Sequence, residues 1–149
     1  MKVVLTTVKS ASVKIDNKLV GKINKGYLLL TGFTFGDDGE TVKKMADKIL
    51  SLRAFADDHR MINLSLNDVG GGILSISQFT LYADVTGGRR PSFKDALTPF
   101  EAEKLYNEFN SYLEKGCPNL STGVFGADME VESVNDGPFT LLLNSEDLF

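Results

Sequence analysis

The chain has 149 residues, 42% of them hydrophobic and 24% charged, the balance of an ordinary globular domain large enough to bury a core of its own. Its formal net charge of −4 argues against a protein that grips nucleic acid along a long phosphate track, though not against one that holds only the end of an RNA. A single cysteine, Cys117, and a single histidine, His59, exclude an internal disulfide and a zinc constellation, so no metal and no cofactor are expected.

The start, Met1-Lys2-Val3-Val4-Leu5-Thr6-Thr7-Val8, alternates like a strand and carries no small-residue cleavage site. No apolar run approaches the roughly 20 residues that cross a bilayer. The expectation is a cytoplasmic protein with no membrane partner. Val3–Val8 and Ser12–Ile15 read as strands, Asp16-Asn17 as a turn, and Leu19-Val20 as part of a third strand. The run Tyr27-Leu28-Leu29-Leu30-Thr31-Gly32-Phe33 predicts a strand covered on both faces.

After the breaker Gly36-Asp37-Asp38-Gly39, the residues Val42, Met45, Ala46, Ile49 and Leu50 recur at helical spacing, predicting a helix from Glu40 to near Arg53. A central strand is expected from Gly72 to Tyr82. A second helix is marked by Thr98 at the N-cap, Pro99 at the first position and Glu101 as the partner of a capping box. Ala102, Leu105, Tyr106, Phe109, Tyr112 and Leu113 form its apolar stripe, and Gly116 is its expected stop. Asp128–Val134 and Pro138–Asn144 read as a last pair of strands, and Glu146-Asp147 as a frayed acidic end. The predicted architecture is α+β: a curved, barrel-like, largely antiparallel or mixed sheet with two amphipathic helices, in one domain over residues 1–149.

Several familiar chemistries are absent. His59 lies in the polar turn Asp57-Asp58-His59-Arg60, away from any nucleophile elbow. Gly70-Gly71-Gly72 precedes a strand and lacks the Lys-Ser/Thr of a phosphate loop. Cys117 sits between Gly116 and Pro118 with no adjacent base. The basic residues Arg89, Arg90 and Lys94 form one local cluster, enough for a few phosphates or simply a solvated loop.

Two polar motifs adjoin apolar strands: Ser77-Gln78-Phe79-Thr80 after Ile73-Leu74-Ser75-Ile76, and Asn135-Asp136-Gly137-Pro138-Phe139-Thr140 before Leu141-Leu142-Leu143. An unpaired buried polar group costs roughly 1–3 kcal/mol, so such residues need partners or a purpose. Strand alternation would put Gln78 and Thr80 on the face of Leu74 and Ile76, and Ser77 and Phe79 on the face of Ile73 and Ser75. Thr80 and Thr140 are nucleophile candidates by residue type alone. Without a neighbouring base a threonine hydroxyl is a poor nucleophile, and hydrogen bonding is the preferred role for both. The default for Gly137-Pro138 is an ordinary trans turn.

Together with Ala11-Ser12-Val13, Asn63-Leu64-Ser65-Leu66, Gly88-Arg89-Arg90-Pro91-Ser92-Phe93 and Gly123-Val124-Phe125-Gly126-Ala127-Asp128-Met129, these motifs resemble, almost end to end, the D-aminoacyl-tRNA deacylase family. The resemblance implies hydrolysis of the ester of D-aminoacyl-tRNA, with misacylated glycyl-tRNA as a further substrate, and no DNA partner. It implies an RNA-assisted mechanism in which Ser77, Gln78 and Thr80 serve the reacting ester. Phe79 and Phe125 would offer surfaces on which the terminal adenine stacks, with core packing the plain alternative for each. It also implies a homodimer in which a cis Gly137-Pro138, with Thr140 nearby, enters the partner's site and turns away L-amino acids. Bacterial-like members carry an arginine that fixes this dipeptide where Thr7 stands here, so either another residue holds the turn or the motif is looser. Two rival readings remain: a related trans-editing deacylase for another mischarged tRNA, and a non-catalytic nucleic-acid-binding module.

Overall fold

The computed structural model describes residues 1–149. Its first strand, β1 (Lys2–Ile15), is unbroken where two strands were expected, and the type of turn expected at Asp16-Asn17 leads into β2 (Lys18–Ile23). Then come β3 (Gly26–Gly32) and α1 (Gly39–Ser51). A minor hairpin of β4 (Phe55–Ala56) and β5 (Ile62–Leu64) leads to β6 (Gly72–Ser77). The second half holds α2 (Pro99–Gly116), β7 (Leu120–Thr122), β8 (Glu130–Asn144) and α3 (Ser145–Leu148).

The main sheet runs β2-β1-β3-β6-β7, with β8 along the other edge of β1. β1 pairs antiparallel with β2, β3 and β8, whereas β3–β6 and β6–β7 are parallel, so the sheet is mixed. Parallel neighbours need crossovers, and α1 and α2 lie within those connections. Because β2 and β3 share one edge of β1, the sheet curls until the Ser121 hydroxyl of β7 donates to the Lys22 carbonyl of β2 at 3.2 Å. The result is a nearly closed barrel.

Side-chain alternation on β3 and β6 feeds two cores. Tyr27, Leu29 and Ile73 pack under the helices with Met45, Ile49 and Phe109. Leu28, Leu74 and Ile76 fill the barrel interior with Val8, Val13 and Ile23. The expectation that Tyr27–Phe33 is covered on both faces holds.

The central strand is shorter than expected. Ser77 opposite Thr31 is the last β3–β6 pair; the Gln78 N–H still donates to the Thr31 carbonyl at 2.7 Å. The chain then turns into a single 3-10 turn, Phe79–Tyr82. Gly32 permits that fold-back: a Cβ there would lie 2.7 Å from the Gln78 carbonyl oxygen and 3.1 Å from Leu81 Cβ. Thr80 therefore lies in the turn and does not continue the strand face of Leu74 and Ile76.

The last two strands are also one. On β8, Asn135 pairs with Val8 and Thr140 with Thr6, so the stretch between them arches off the same edge of β1 and makes no hairpin. Nor does the end fray. The Asn144 side chain caps α3, the Ser145 N–H donates to the Met1 carbonyl at 2.9 Å, and the buried Met1 ammonium donates to the Ser145 hydroxyl at 2.6 Å. There are thus three helices, not two.

At α2 the expected capping box takes another form, the Thr98 hydroxyl donating to the Glu101 carboxylate at 2.7 Å without capping a backbone N–H. Gly116 is the last helical residue and Cys117 the cap. The glycine makes room for Leu50, whose Cδ1 would lie 2.5 Å from a Cβ. No helix is long and apolar enough to cross a membrane.

Because the atom opposing a Cβ at Gly32 is main chain, relief requires moving the 3-10 turn. Gly32→Ala is expected to cost about 1–3 kcal/mol, the usual range for overpacking, measured as a drop in urea midpoint at constant m-value. A midpoint equal to that of the parent would show that the turn yields without cost.

Candidate active site

Where β3 and β6 stop pairing, their C-terminal ends open into a cleft of about 890 Å³. Its floor is built from Leu30, Thr31 and Ile76, and its walls from Ser77, Gln78 and Phe79, the start of α2 at Thr98–Pro99, and Phe125 to Met129. The cleft thus gathers Ser77, Gln78, Phe79 and Phe125 from two segments distant in sequence. Thr80, Gly137, Pro138 and Thr140 do not line it.

Phe79 is not a core residue. It is 56% exposed and meets Phe93 edge-on, with centroids 4.9 Å apart. Phe125 is half-buried, tilted against Tyr106 at 5.9 Å and packed on the helix-side core. One aromatic is therefore presented to solvent, and the other is shared between core and cleft. Phe93, the first turn of α2 and Met129 were not singled out from sequence, although Phe93 and Met129 close two of the quoted motifs.

None of the hydroxyls in the two motifs meets a base. The Thr80 hydroxyl accepts from the Gln78 side-chain amide, the Thr140 hydroxyl lies 3.4 Å from that of Thr6, and Ser77 Oγ has no hydrogen-bonded carboxylate, imidazole or amine. The lining includes one carboxylate, the exposed Asp128, and no histidine, cysteine or lysine. His59 is exposed in its turn, where the Asp57 carboxylate accepts from the Met61 and His59 N–H groups and is held below the usual carboxylate range by them. Cys117 is buried, and burial pushes its thiol up, away from thiolate chemistry.

Main-chain donors are the available electrophilic groups. The first bond of the 3-10 turn runs from the Leu81 N–H to the Gln78 carbonyl. The amides of Phe79 and Thr80 precede it and so have no partner within the turn. Phe79 lines the cleft with Ser77, and Thr80 follows it in the turn. Sequence reading assigned this stretch to a strand, where amides are spent on a neighbour, and so could not find them.

The Asp136–Phe139 arch is shaped by backbone as well. Gly137 has φ 125° and its bond to Pro138 is cis. Gly137 and Pro138 are exposed, while Phe139 anchors the arch against the helix-side core. Thr7 answers the question raised by the missing arginine. This residue, 4% exposed, donates its hydroxyl to the Asp136 carbonyl at 2.7 Å and lies 3.5 Å from the Phe139 carbonyl. A short side chain beneath the arch holds it from inside the sheet.

A family model described as D-Tyr-tRNA(Tyr) deacylase matches residues 4–144. A D-aminoacyl-tRNA deacylase of Clostridium acetobutylicum is 50% identical over 149 residues, all of both chains. One of Lactobacillus helveticus is 52% identical over 144 residues, 97% of this chain and 99% of the relative. Among solved structures, one described as c-Myc DNA Unwinding Element Binding Protein superposes with a TM-score of 0.91 at 36% identity, covering 97% of this chain and 98% of the other.

Thr7→Val keeps shape but leaves the Asp136 carbonyl without its buried donor. A loss of about 1–3 kcal/mol is expected, with Thr7→Ser retaining most of the stability. Equal stability of the valine variant and the parent in chemical denaturation would mean that the hydroxyl does not hold the arch.

Proposed function

Because the chain belongs to the D-Tyr-tRNA(Tyr) deacylase family, we propose that it hydrolyses the ester joining a D-amino acid to the terminal ribose of tRNA, acting through fixed donors and the RNA itself. The observation that carries the mechanism is that the hydroxyls of the two motifs have no base and that the 3-10 turn following Ser77 leaves its first amides without a partner within the turn. An aminoacyl ester of a ribose is already activated, so positioning and oxyanion stabilisation can supply most of the acceleration.

The terminal adenine stacks on Phe79, with Phe125 on the opposite wall, an interaction worth roughly 1–3 kcal/mol per base. Water adds to the ester carbonyl, and its oxygen takes the developing charge against Ser77 Oγ and the Phe79 and Thr80 amides. The carbon–oxygen bond to the ribose then breaks. The proton given up by water passes to the leaving ribose oxygen with the help of the neighbouring ribose hydroxyl, so no side chain is acylated. Gln78 fixes the Thr80 hydroxyl and with it the turn.

Chirality is read by a second copy of the chain. Gly137 and Pro138 are exposed on an arch held from below by Thr7 and Phe139, so their carbonyl oxygens can face the substrate α-carbon in a partner's cleft, with Thr140 at the arch's foot. An L side chain would strike this wall, whereas a D side chain points outward. Glycine, with no side chain, passes, so glycyl-tRNA is also cleaved. A homodimer with two equivalent sites follows.

The test is deacylation of D-Tyr-tRNA and L-Tyr-tRNA side by side. D-Tyr-tRNA is expected to be cleaved and L-Tyr-tRNA spared by more than the roughly 10–200-fold that a soft pocket draws from one methylene; comparable rates would sink the wall. Binding without turnover would favour the non-catalytic nucleic-acid module. Ser77→Ala is expected to lower kcat by roughly 10²–10³, Thr80→Ala by less, with neither abolishing turnover. A covalent aminoacyl adduct on Thr80 or Thr140 would overturn the mechanism. Sedimentation should show a dimer, and fully active monomers would exclude the shared site.

A further inference from the structure

The reading above places a terminal nucleoside and its amino acid in the cleft of about 890 Å³ and leaves the preceding backbone of the RNA unaccounted for. Beside it, residues 84–92 form a loop closed at its base by two hydrogen bonds, Asp84 N–H to the Ser92 carbonyl at 2.7 Å and Ser92 N–H to the Asp84 carbonyl at 2.9 Å. The Asp84 carboxylate is occupied at this foot. It accepts from the Thr86 hydroxyl at 2.6 Å and the Thr86 N–H at 2.9 Å, and Lys94 reaches it at 3.6 Å. At the tip, Arg89 and Arg90 are exposed, and neither belongs to any of the chain's four ion pairs. In a chain of net charge −4, two adjacent guanidinium groups without carboxylate partners are a local reversal of sign.

The loop is physically joined to the cleft. Phe93, the residue after its closing bridge, lines the cleft and carries the edge contact to Phe79. A strand whose last base rests on Phe79 and that leaves the cleft over Phe93 would run toward this loop and its Arg89 and Arg90.

We propose that the 84–92 loop is a phosphate-binding site for the RNA strand leading into the cleft, with Arg89 and Arg90 each engaging a backbone phosphate. This rests on the aminoacyl-tRNA reading above. Guanidinium suits the task, since its planar fork pairs two phosphate oxygens at once. Contacts to phosphate carry no sequence information, so the site would serve acceptor ends of any tRNA. They are made equally in the ground and transition states, so their loss raises KM and leaves kcat in place.

The test compares the parent with the double variant Arg89→Gln/Arg90→Gln on D-Tyr-tRNA and on D-tyrosyl-adenosine, which has no phosphate backbone, at 50 and 200 mM salt. The expected result is a KM for the tRNA raised roughly tenfold at low salt, with unchanged kcat and unchanged kinetics on the nucleoside ester. Loss of two single-strand contacts lowers the salt slope by about 1.4, so the gap between variant and parent should narrow about sevenfold at the higher salt. Arg89→Lys/Arg90→Lys should restore the slope. An unchanged KM for tRNA, or an equal loss on both substrates, would overturn the loop's role. A parent that cleaves neither substrate would instead overturn the deacylase reading.

Discussion

The end of the β3–β6 pairing is the constraint on which the site depends. Past Ser77 opposite Thr31, β6 has no further partner on β3, and Gly32 leaves the space into which the chain folds as a 3-10 turn. A longer strand would satisfy the Phe79 and Thr80 amides with a neighbour and turn Phe79 toward one of the cores. The early stop leaves those donors without a turn partner, exposes an aromatic ring and opens a cleft between the helix-side core and the barrel interior. Packing on both sides makes the geometry stiff: Leu29 and Ile73 are fully buried in one core and Leu74 in the other, so the strand ends that frame the cleft cannot shift without disturbing both.

That stiffness matters because the cleft holds little else. General bases contribute typically 10²–10⁴-fold, and the motif hydroxyls have no partner able to serve as one. Oriented donors and proximity together can supply comparable or larger factors, provided that they do not reorganise during the reaction. Main-chain amides that follow a strand end meet that condition better than long side chains, because the strand before them is packed on both sides and no rotamer freedom is lost on use.

The fold was legible in sequence where hydrophobic periodicity is strong. The two-sided run at Tyr27–Phe33, the stripe of α1 and the proline-led start of α2 all appear as read. It was misread where local pattern and tertiary pairing disagree. Ser77-Gln78-Phe79-Thr80 alternates like a strand, but only the length of β3 decides where pairing stops. Asn135-Asp136-Gly137-Pro138 has the composition of a hairpin turn, yet both flanks pair with the same edge of β1, which no local signal encodes. The frayed end was misjudged because its anchor is Met1, 144 residues away in sequence. Of the site, the residue types were visible and their company was not: Phe93 and the first turn of α2 reach the cleft only through the fold.

Thr7 shows how a short side chain can hold an arch from inside the sheet. An arginine can hold a carbonyl from a distance with several donors, whereas a threonine must sit directly beneath it. Here the register of β1 against β8 puts Thr7 inside the interval where β8 leaves its partner, within 2.7 Å of the Asp136 carbonyl. The hydroxyl has one proton to give, so the support is narrower than a guanidinium fork, but it is buried and therefore shielded from competing water. The other foot is held by Phe139 in the core. An arch pinned at one end by a buried hydrogen bond and at the other by an aromatic ring needs no long charged side chain to keep its shape, and the two exposed residues between those pins remain free to meet another surface.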